Sequence, residues 1–372
     1  MLDRRLIANF DWGIVGLTLL ITAIGIITIF SATRGLDSQN IPFYIKQILW
    51  TLLGIAGMLF VVSIDYRTIA KHAYLLYGIG IFLLVLVLFV GRAGMGAQRW
   101  ISAGSFSFQP SEFARLFFIL ALSKYLSENK DSGVYSIKEL IIPAIFFLII
   151  PSLLVIKQPD LGTGMAFLFT FFVMTTVAGL KVKALTILIS IGILSVPFLS
   201  ETLWSQLKEY QRNRIIAFFQ PDTDPLGIGY HITQSKIAIG SGQFFGKGYL
   251  SGTQGYLRFL PERHTDFIFS VFAEEWGFIG CIILFAIYLF LIFMGIEVAL
   301  KSKDHLGCIM AVGIISTFSL YTFINIGMTL GIAPIVGIPL PFMSYGGSSM
   351  LTNFISIGLL LNIKMRRFQL FY

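Results

Sequence analysis

Long apolar segments recur along this chain, and they constrain its fold more than any other feature. Most of them approach or exceed 18 residues, a length that allows a helix to cross the hydrocarbon core of a bilayer. Only 12% of the 372 residues are charged, about half of the fraction found in soluble domains. Too few polar residues remain to cover so many helices with a water-facing surface. We therefore predict an all-α polytopic membrane protein.

The apolar segments divide the chain into about ten transmembrane helices within a single integral membrane domain, residues 1–372. The predicted spans are 12–32, 45–63, 73–90, 111–127, 138–156, 161–179, 182–199, 267–295, 306–331 and 345–363. A large extracytoplasmic loop, residues 200–266, is expected between the seventh and eighth spans. Its many aromatic and aliphatic residues argue against disorder, and we expect a short interfacial helix near residues 230–240.

Positively charged residues are concentrated in alternate connections between the spans. These connections and the termini carry Arg4, Arg5, Arg67, Lys71, Lys124, Lys130, Lys138, Lys181, Lys183, Lys301, Lys303, Lys364, Arg366 and Arg367. The positive-inside rule places them, with both termini, in the cytoplasm, so we predict a multi-pass protein of the cytoplasmic membrane. The net charge of +8 then reflects membrane orientation. Because the basic residues form no dense patch, the sequence does not predict a nucleic-acid partner.

The opposite connections contain most of the chemically unusual residues, and Asp266 stands out among them. On a helix over residues 266–280, Asp266 would share one stripe with Ser270, Ala273 and Gly277. Small residues let another helix approach closely or leave room for a ligand. We therefore expect Asp266 to face a protein-lined cavity. The alternative is an acidic residue that only stabilises a helix N-terminus.

Two further carboxylates, Glu112 and Asp160, lie at the edges of predicted spans. A carboxylate within a bilayer normally faces a cavity or a partner. Glu112 precedes Arg115 by three residues, one helical turn, so a local ion pair is expected. Both carboxylates could instead fasten helices through salt bridges, and the sequence alone leaves that alternative open.

Cationic residues in or near the outer connections could bind an anionic group. They are Arg99, Arg115, Lys157, Arg212, Arg214 and Arg263. Ser344 could cap the last helix, whose N-terminus also attracts negative charge. An enzyme that acts outside the cytoplasm needs a donor that arrives activated and lipid-anchored, and a polyprenyl-pyrophosphate sugar meets that need. Such chemistry requires cations for the pyrophosphate and a carboxylate near the acceptor hydroxyl. A transporter with a polar central site would explain the same charges.

The sequence predicts no cofactor with certainty. It contains no Cys/His cluster with metal-ligand spacing, no Walker loop and no dinucleotide-binding glycine fingerprint. A divalent cation such as Mg²⁺ or Mn²⁺ would help to neutralise a pyrophosphate, but no ligand set for it is recognisable.

Six motifs along nearly the whole chain carry a resemblance to a known family. They are KQPDLGT, FQPSE, DPLGIGYHITQSKIAIGSG, GKGYLSGTQ, LPERHTDFIFSVFAEEWG and NIGMTLGIAPIVGIPLPFMSYGGSSM. Together they resemble the SEDS family (shape, elongation, division and sporulation), and most closely its rod-shape-determining branch.

The resemblance implies a bacterial membrane enzyme, a peptidoglycan glycosyltransferase that polymerises lipid II into glycan strands during cell elongation. It also implies a class B penicillin-binding protein, a transpeptidase, as the partner. Carried over by motif, Asp266 is the essential aspartate, and Asp160 and Glu112 are further site residues. Where the family usually has Lys, this chain has Arg115, which favours ion pairing or phosphate binding over acid–base chemistry. The alternatives are a lipid II flippase and a non-catalytic activator of the transpeptidase.

Overall fold

Long apolar helices form most of the chain in this computed structural model. The structure describes residues 10–34, 41–94, 97–103, 106–128, 135, 137–181, 183–184, 186–187, 190, 194–195, 204–205, 207, 209–220, 227–253, 260 and 262–367. The helices before residue 200 are α1 (Trp12–Thr33), α2 (Phe43–Ser63), α3 (Tyr66–Lys71), α4 (Ala73–Val90), α5 (Pro110–Glu128), α6 (Ile137–Pro143), α7 (Ile150–Lys157) and α8 (Leu161–Val177). A π-helical turn, Ala144–Ile149, joins α6 to α7. The later helices are α9 (Glu209–Phe219), α10 (Ile228–Ser241), α11 (Ile268–Leu300), α12 (His305–Leu330) and α13 (Gly347–Met365).

Six helices in the described residues are long and apolar enough to cross a membrane. They are Trp12–Thr33, Phe43–Ser63, Ala73–Val90, Lys138–Lys157, Ile268–Leu300 and His305–Leu330. These helices agree with six of the predicted spans to within a few residues. The predicted span 161–179 appears as α8, a shorter apolar helix. The span 182–199 lies mostly outside the described residues, so the count of ten stays a prediction.

The remaining two predicted spans, 111–127 and 345–363, form the helices α5 and α13, but both helices are more polar than the six long apolar helices. Their polar side chains are buried between neighbouring helices, as at Glu112, Arg115 and Asn362. Helix α13 packs along α2 and contacts α5. A helix surrounded by protein needs no lipid-facing apolar surface, which explains how these two helices tolerate their composition.

A small sheet between α4 and α5 was not predicted. Its strands β1 (Arg92–Gly94), β2 (Ala97–Ala103) and β3 (Phe106–Phe108) pair antiparallel in the order β1-β2-β3. The register pairs Ile101 with Phe108 and Ala103 with Phe106. The sheet matters for function because β2 carries Arg99 and Trp100.

Helix α11 is interrupted at Gly277, whose φ of 66° lies in the left-handed region. A Cβ at this position would lie 2.2 Å from the Gly246 nitrogen, so the chain after α10 fills the break closely. The amides of Phe278 and Ile279 donate to the carbonyls of Gln243 (2.8 Å) and Phe244 (3.2 Å). The loop thus supplies the hydrogen bonds that the broken helix cannot make, as backbone shielded from water requires.

One end of the bundle is held together by the buried side chain of Asn362. Its Nδ2 donates to the carbonyl of Val61 (2.7 Å) and to that of Ile64, and its Oδ1 accepts from the amide of Tyr66 (3.1 Å). Arg366 and Asp65 form an ion pair at the same end (3.5 Å). Asn362 therefore joins α13 to the α2–α3 connection.

We predict that Asn362→Ala lowers the free energy of unfolding by about 1–3 kcal/mol, because buried backbone groups lose their partners. Asn353→Ala is the matched control, since Asn353 is equally buried but donates within its own helix to Ser349 Oγ at 3.3 Å. Thermal unfolding in detergent measures both variants. Equal stability of the two would contradict the role given to Asn362.

Candidate functional site

A polar cavity of about 210 Å³ lies at the end of the bundle opposite Asn362. Its walls come from strand β2, helix α9, the turn before α11, and the segment that leads into α13. The lining residues are Arg99, Trp100, Gln109, Arg214, Glu262, Thr265, Asp266, Gly337, Pro339, Tyr345, Gly346 and Ser349. Three of the predicted site residues, Asp266, Arg99 and Arg214, therefore share one cavity.

Asp266 occupies a turn rather than the predicted helix. Helix α11 begins at Ile268, so the expectation of a continuous helix over residues 266–280 is wrong at its start and at Gly277. The expected inward orientation of Asp266 is nevertheless observed, because its side chain lines the cavity. Ser270 instead packs against α10 and shares a 2.7 Å hydrogen bond with Ser235. The small residues of α11 thus serve close helix approach.

The Asp266 carboxylate and two guanidinium groups converge on Gly337. A Cβ on this residue would lie 3.4 Å from Asp266 Oδ2, 3.8 Å from Arg214 Nη1 and 3.9 Å from Arg99 Nη1. Gly337 also has a φ of 74°, which favours glycine. The cavity therefore places one acidic group and two permanently charged cations around Gly337. Because Gly337 has no side chain, space remains between the three groups.

Burial raises the pKa of Asp266 to about 6, and the neighbouring Glu262 carboxylate contributes in the same direction. Arg214 and Arg99 oppose this shift because they stabilise the ionised form. The carboxyl is thus mostly ionised at neutral pH, yet it is more basic than an ordinary aspartate. Burial and the adjacent Arg263 lower the pKa of His264 to about 4, so His264 is neutral at neutral pH.

Two segments that form the cavity walls, residues 262–267 and 337–346, are fastened together by hydrogen bonds. Ser344 Oγ donates to the carbonyl of Thr265 (2.7 Å) and accepts from the amide of Leu340 (2.8 Å). The amide of Tyr345 donates to the carbonyl of His264 (2.9 Å). Ser344 does not cap α13, whose N-cap residue is Gly346, so that part of its predicted role is wrong.

Arg99 is held in place by the tight link between α7 and α8. Its Nη2 donates to the carbonyl of Pro159 (2.5 Å), and its Nε lies 3.7 Å from Asp160 Oδ2. Asp160 in turn accepts from the amide (3.2 Å) and the hydroxyl (2.9 Å) of Thr163. Asp160 thus caps α8 and pairs with Arg99. It does not line the cavity itself but holds a cation that does.

Comparison with known proteins identifies the family. The family model described as cell cycle protein, which covers FtsW, RodA and SpoVE, matches residues 11–369. The chain belongs to the FtsW/RodA/SpoVE family.

Relatives and solved structures match this FtsW/RodA/SpoVE protein over most of its length. It is 41% identical to peptidoglycan glycosyltransferase MrdB of Escherichia coli (strain K12), over 89% of this chain and 88% of MrdB. It is 39% identical to stage V sporulation protein E of Bacillus subtilis (strain 168), over 95% and 96% of the two chains.

Two solved structures share the fold of this family member. One is a chain of a peptidoglycan synthase complex in which polymerization and crosslinking are coordinated, with a TM-score of 0.82, 31% identity, and coverage of 97% of this chain and 99% of that chain. The other is the rod shape determining protein RodA of Thermus thermophilus, with a TM-score of 0.71, 29% identity, and coverage of 97% and 98%.

Glu112 and Arg115 form the expected local ion pair in this family member, at 2.8 Å. Both side chains are buried. The Arg115 guanidinium lies 4.2 Å from the ring centroid of Tyr321, and Thr352 Oγ1 approaches Glu112 Oε2 at 3.4 Å. Neither Glu112 nor Arg115 lines the cavity of Asp266, so the pair joins α5 to α12 and α13.

Three other predicted cations, Lys157, Arg212 and Arg263, do not line the cavity. Lys157 is exposed. Arg212 donates to the carbonyls of its own segment, those of Trp204 (2.8 Å) and Ser205 (2.7 Å). Arg263 is buried beside the cavity. Within the described ranges, no three His, Cys, Asp or Glu residues are grouped to hold a metal ion. A divalent cation bound to a pyrophosphate needs only one or two protein carboxylates, so the expected cation stays a prediction.

The main residue that the sequence analysis missed is Asn325. Its side chain is fully buried and donates to the backbone carbonyls of Asp266 (3.0 Å) and Ile338 (2.8 Å). A polar residue inside a predicted transmembrane helix was the signal available in the sequence, because such residues usually meet a partner.

Proposed function

We propose that this protein is a peptidoglycan glycosyltransferase that polymerises lipid II into glycan strands during cell elongation. The observation that carries the proposal is the cavity in which the Asp266 carboxyl, with its raised pKa of about 6, faces Arg99 and Arg214. The family supports the same activity, because a relative with 41% identity is a peptidoglycan glycosyltransferase.

The reaction requires a base for the acceptor and positive charge for the leaving group. In the proposed mechanism, Asp266 takes the proton from the 4-hydroxyl of the acceptor sugar as that oxygen attacks C1 of the donor sugar. The bond between C1 and the undecaprenyl pyrophosphate oxygen breaks, and the pyrophosphate leaves with its negative charge. A single displacement inverts the anomeric centre. Arg99 and Arg214 neutralise the departing pyrophosphate.

Asp266 is suited to the role of base for two reasons. Its pKa of about 6 makes it ionised at neutral pH while increasing its affinity for a proton. Among the described residues, none donates a hydrogen bond to its carboxylate. The carboxylate can therefore accept a hydrogen bond directly from the substrate hydroxyl. Glu262 lines the same cavity and strengthens this basicity by repulsion.

A class B penicillin-binding protein is the proposed partner. A structural neighbour with 31% identity belongs to a peptidoglycan synthase complex that coordinates polymerization with crosslinking. Glycan strands released by one enzyme must be crosslinked by another, and a transpeptidase supplies that reaction. A lipid II flippase would also need cations for the pyrophosphate, but neither a flippase nor a non-catalytic activator of the transpeptidase needs a general base. The raised pKa of Asp266 therefore favours the transferase.

We further propose that the cavity opens on the extracytoplasmic face and that both termini are cytoplasmic. The basic residues Lys301, Lys303, Lys364 and Arg366 lie at the bundle end away from the cavity, where the positive-inside rule places the cytoplasm.

A cysteine-labelling experiment tests this orientation in a variant whose native Cys281 and Cys308 are replaced by serine. Gln220→Cys follows the helix that carries Arg214, and Lys303→Cys lies at the other end; both positions are exposed. A membrane-impermeant maleimide added to intact spheroplasts is expected to label only the Gln220 variant. Labelling of only the Lys303 variant would show that the orientation is the reverse of the proposed one.

The catalytic proposal predicts that Asp266→Asn lowers the rate of glycan synthesis by at least about 100-fold, because the amide cannot accept the proton. The assay follows polymer formed from lipid II by the purified complex with its transpeptidase partner. Asp65→Asn is the control, because Asp65 caps α3 at the other end of the bundle and asparagine retains a cap.

Wild-type rates in both variants would refute Asp266 as the base. Lipid II translocation without polymer, measured in proteoliposomes of the wild type, would instead support the flippase. Crosslinking by the partner that depends on this protein, without any polymer synthesis, would support the activator.

A further inference from the structure

Asn325 contacts both walls of the cavity from the core of the bundle. It lies on α12, and its side chain is completely buried. One amide group donates two hydrogen bonds, to the carbonyl of Asp266 at 3.0 Å and to the carbonyl of Ile338 at 2.8 Å. It is therefore a bridge between the turn that carries Asp266 and the segment that carries Gly337.

The chemistry of this bridge requires an amide. Both partners are carbonyl oxygens, which only accept, so the group that faces them must donate twice. A side-chain NH₂ on a short stem does so, whereas a hydroxyl donates once and a carboxylate not at all. The bridged Ile338 adjoins Gly337, where a Cβ would lie 3.4 Å from Asp266 Oδ2. The length of the bridge thus sets how close Asp266 comes to the opposite wall.

We propose that Asn325 is a positioning residue of the transferase reaction, which holds Asp266 at a fixed distance from the cations and from the Gly337 wall. This inference rests on the proposed function of the Asp266 cavity. Functional groups act efficiently only when supporting hydrogen bonds hold them within about 0.5 Å of the productive geometry. Asn325 touches the backbone of Asp266 and not the reacting atoms, so its effect is indirect.

The protein contains a natural control for this proposal. Asn362 is also completely buried, and its Nδ2 also donates to two backbone carbonyls, those of Val61 and Ile64. It does so at the other end of the bundle. Replacing either asparagine by alanine removes the same type of bridge, and only one of the two bridges reaches the cavity.

The experiment compares Asn325→Ala, Asn325→Asp and Asn362→Ala in the purified complex with its partner. For each variant, kcat and KM for lipid II are measured on the fraction that remains folded, together with the pH–rate profile. Asn325→Asp has nearly the same shape as the native residue, so it tests hydrogen-bond polarity with little change in packing. The cavity cations are intact in all three variants.

We expect both Asn325 variants to lose about 100-fold in kcat, as misplacement by about 1 Å can cause, with KM changed less than about threefold. In Asn325→Ala, the acid limb of the pH–rate profile should also move, because Asp266 changes its distance from Glu262, Arg99, Arg214 and Asp160, the charges that act on it. Asn362→Ala should retain wild-type kcat per folded molecule and an unchanged acid limb.

Equal kcat in the Asn325 and Asn362 variants, or an unshifted acid limb in Asn325→Ala, would overturn the positioning role. That result would leave the proposed function intact as long as the wild type polymerises lipid II. Absence of polymer from the wild type would instead overturn the proposed function.

Discussion

The need to pair polar groups away from water governs the interior of this protein, because lipid offers no hydrogen-bonding partners. Asn362 joins α13 to the α2–α3 connection, and the Glu112–Arg115 pair lies between helices. At the break in α11, a loop supplies the missing backbone partners. In the cavity, the Asp266 carboxyl and the guanidinium groups of Arg99 and Arg214 surround Gly337, and there a substrate can complete the pairing.

The cavity depends on supports that lie behind it. Ser344 and Asn325 tie the Asp266 turn to the segment before α13, and Asp160 and Pro159 hold Arg99. These supports hold Asp266 and Arg99 at separate positions in the cavity wall. A separated pair keeps the carboxyl available as a base and the guanidinium available for a leaving group, which is what glycosyl transfer from a pyrophosphate donor requires.

Hydropathy alone predicted most helices, because a lipid-facing helix must be apolar over its length. It could not predict the sheet that carries Arg99, since short strands have no comparable signal. Asp266 was recognisable because an acidic residue beside an apolar helix is costly. By contrast, Arg99 and Lys157 looked equivalent in sequence, and only tertiary structure brings one to the cavity. Asn325 was missed because its partners are backbone atoms 59 and 13 residues away.

The pH dependence of glycan synthesis tests most directly whether Asp266 acts as the base. Because the pKa of this carboxyl is raised to about 6, it binds a proton below that pH and is ionised above it. The value of kcat/KM for lipid II, which reports the pKa of the free enzyme, should therefore fall as the pH decreases through about 6, and it should be nearly constant between about pH 7 and 8. A kcat/KM that stays constant down to about pH 5 would contradict the account.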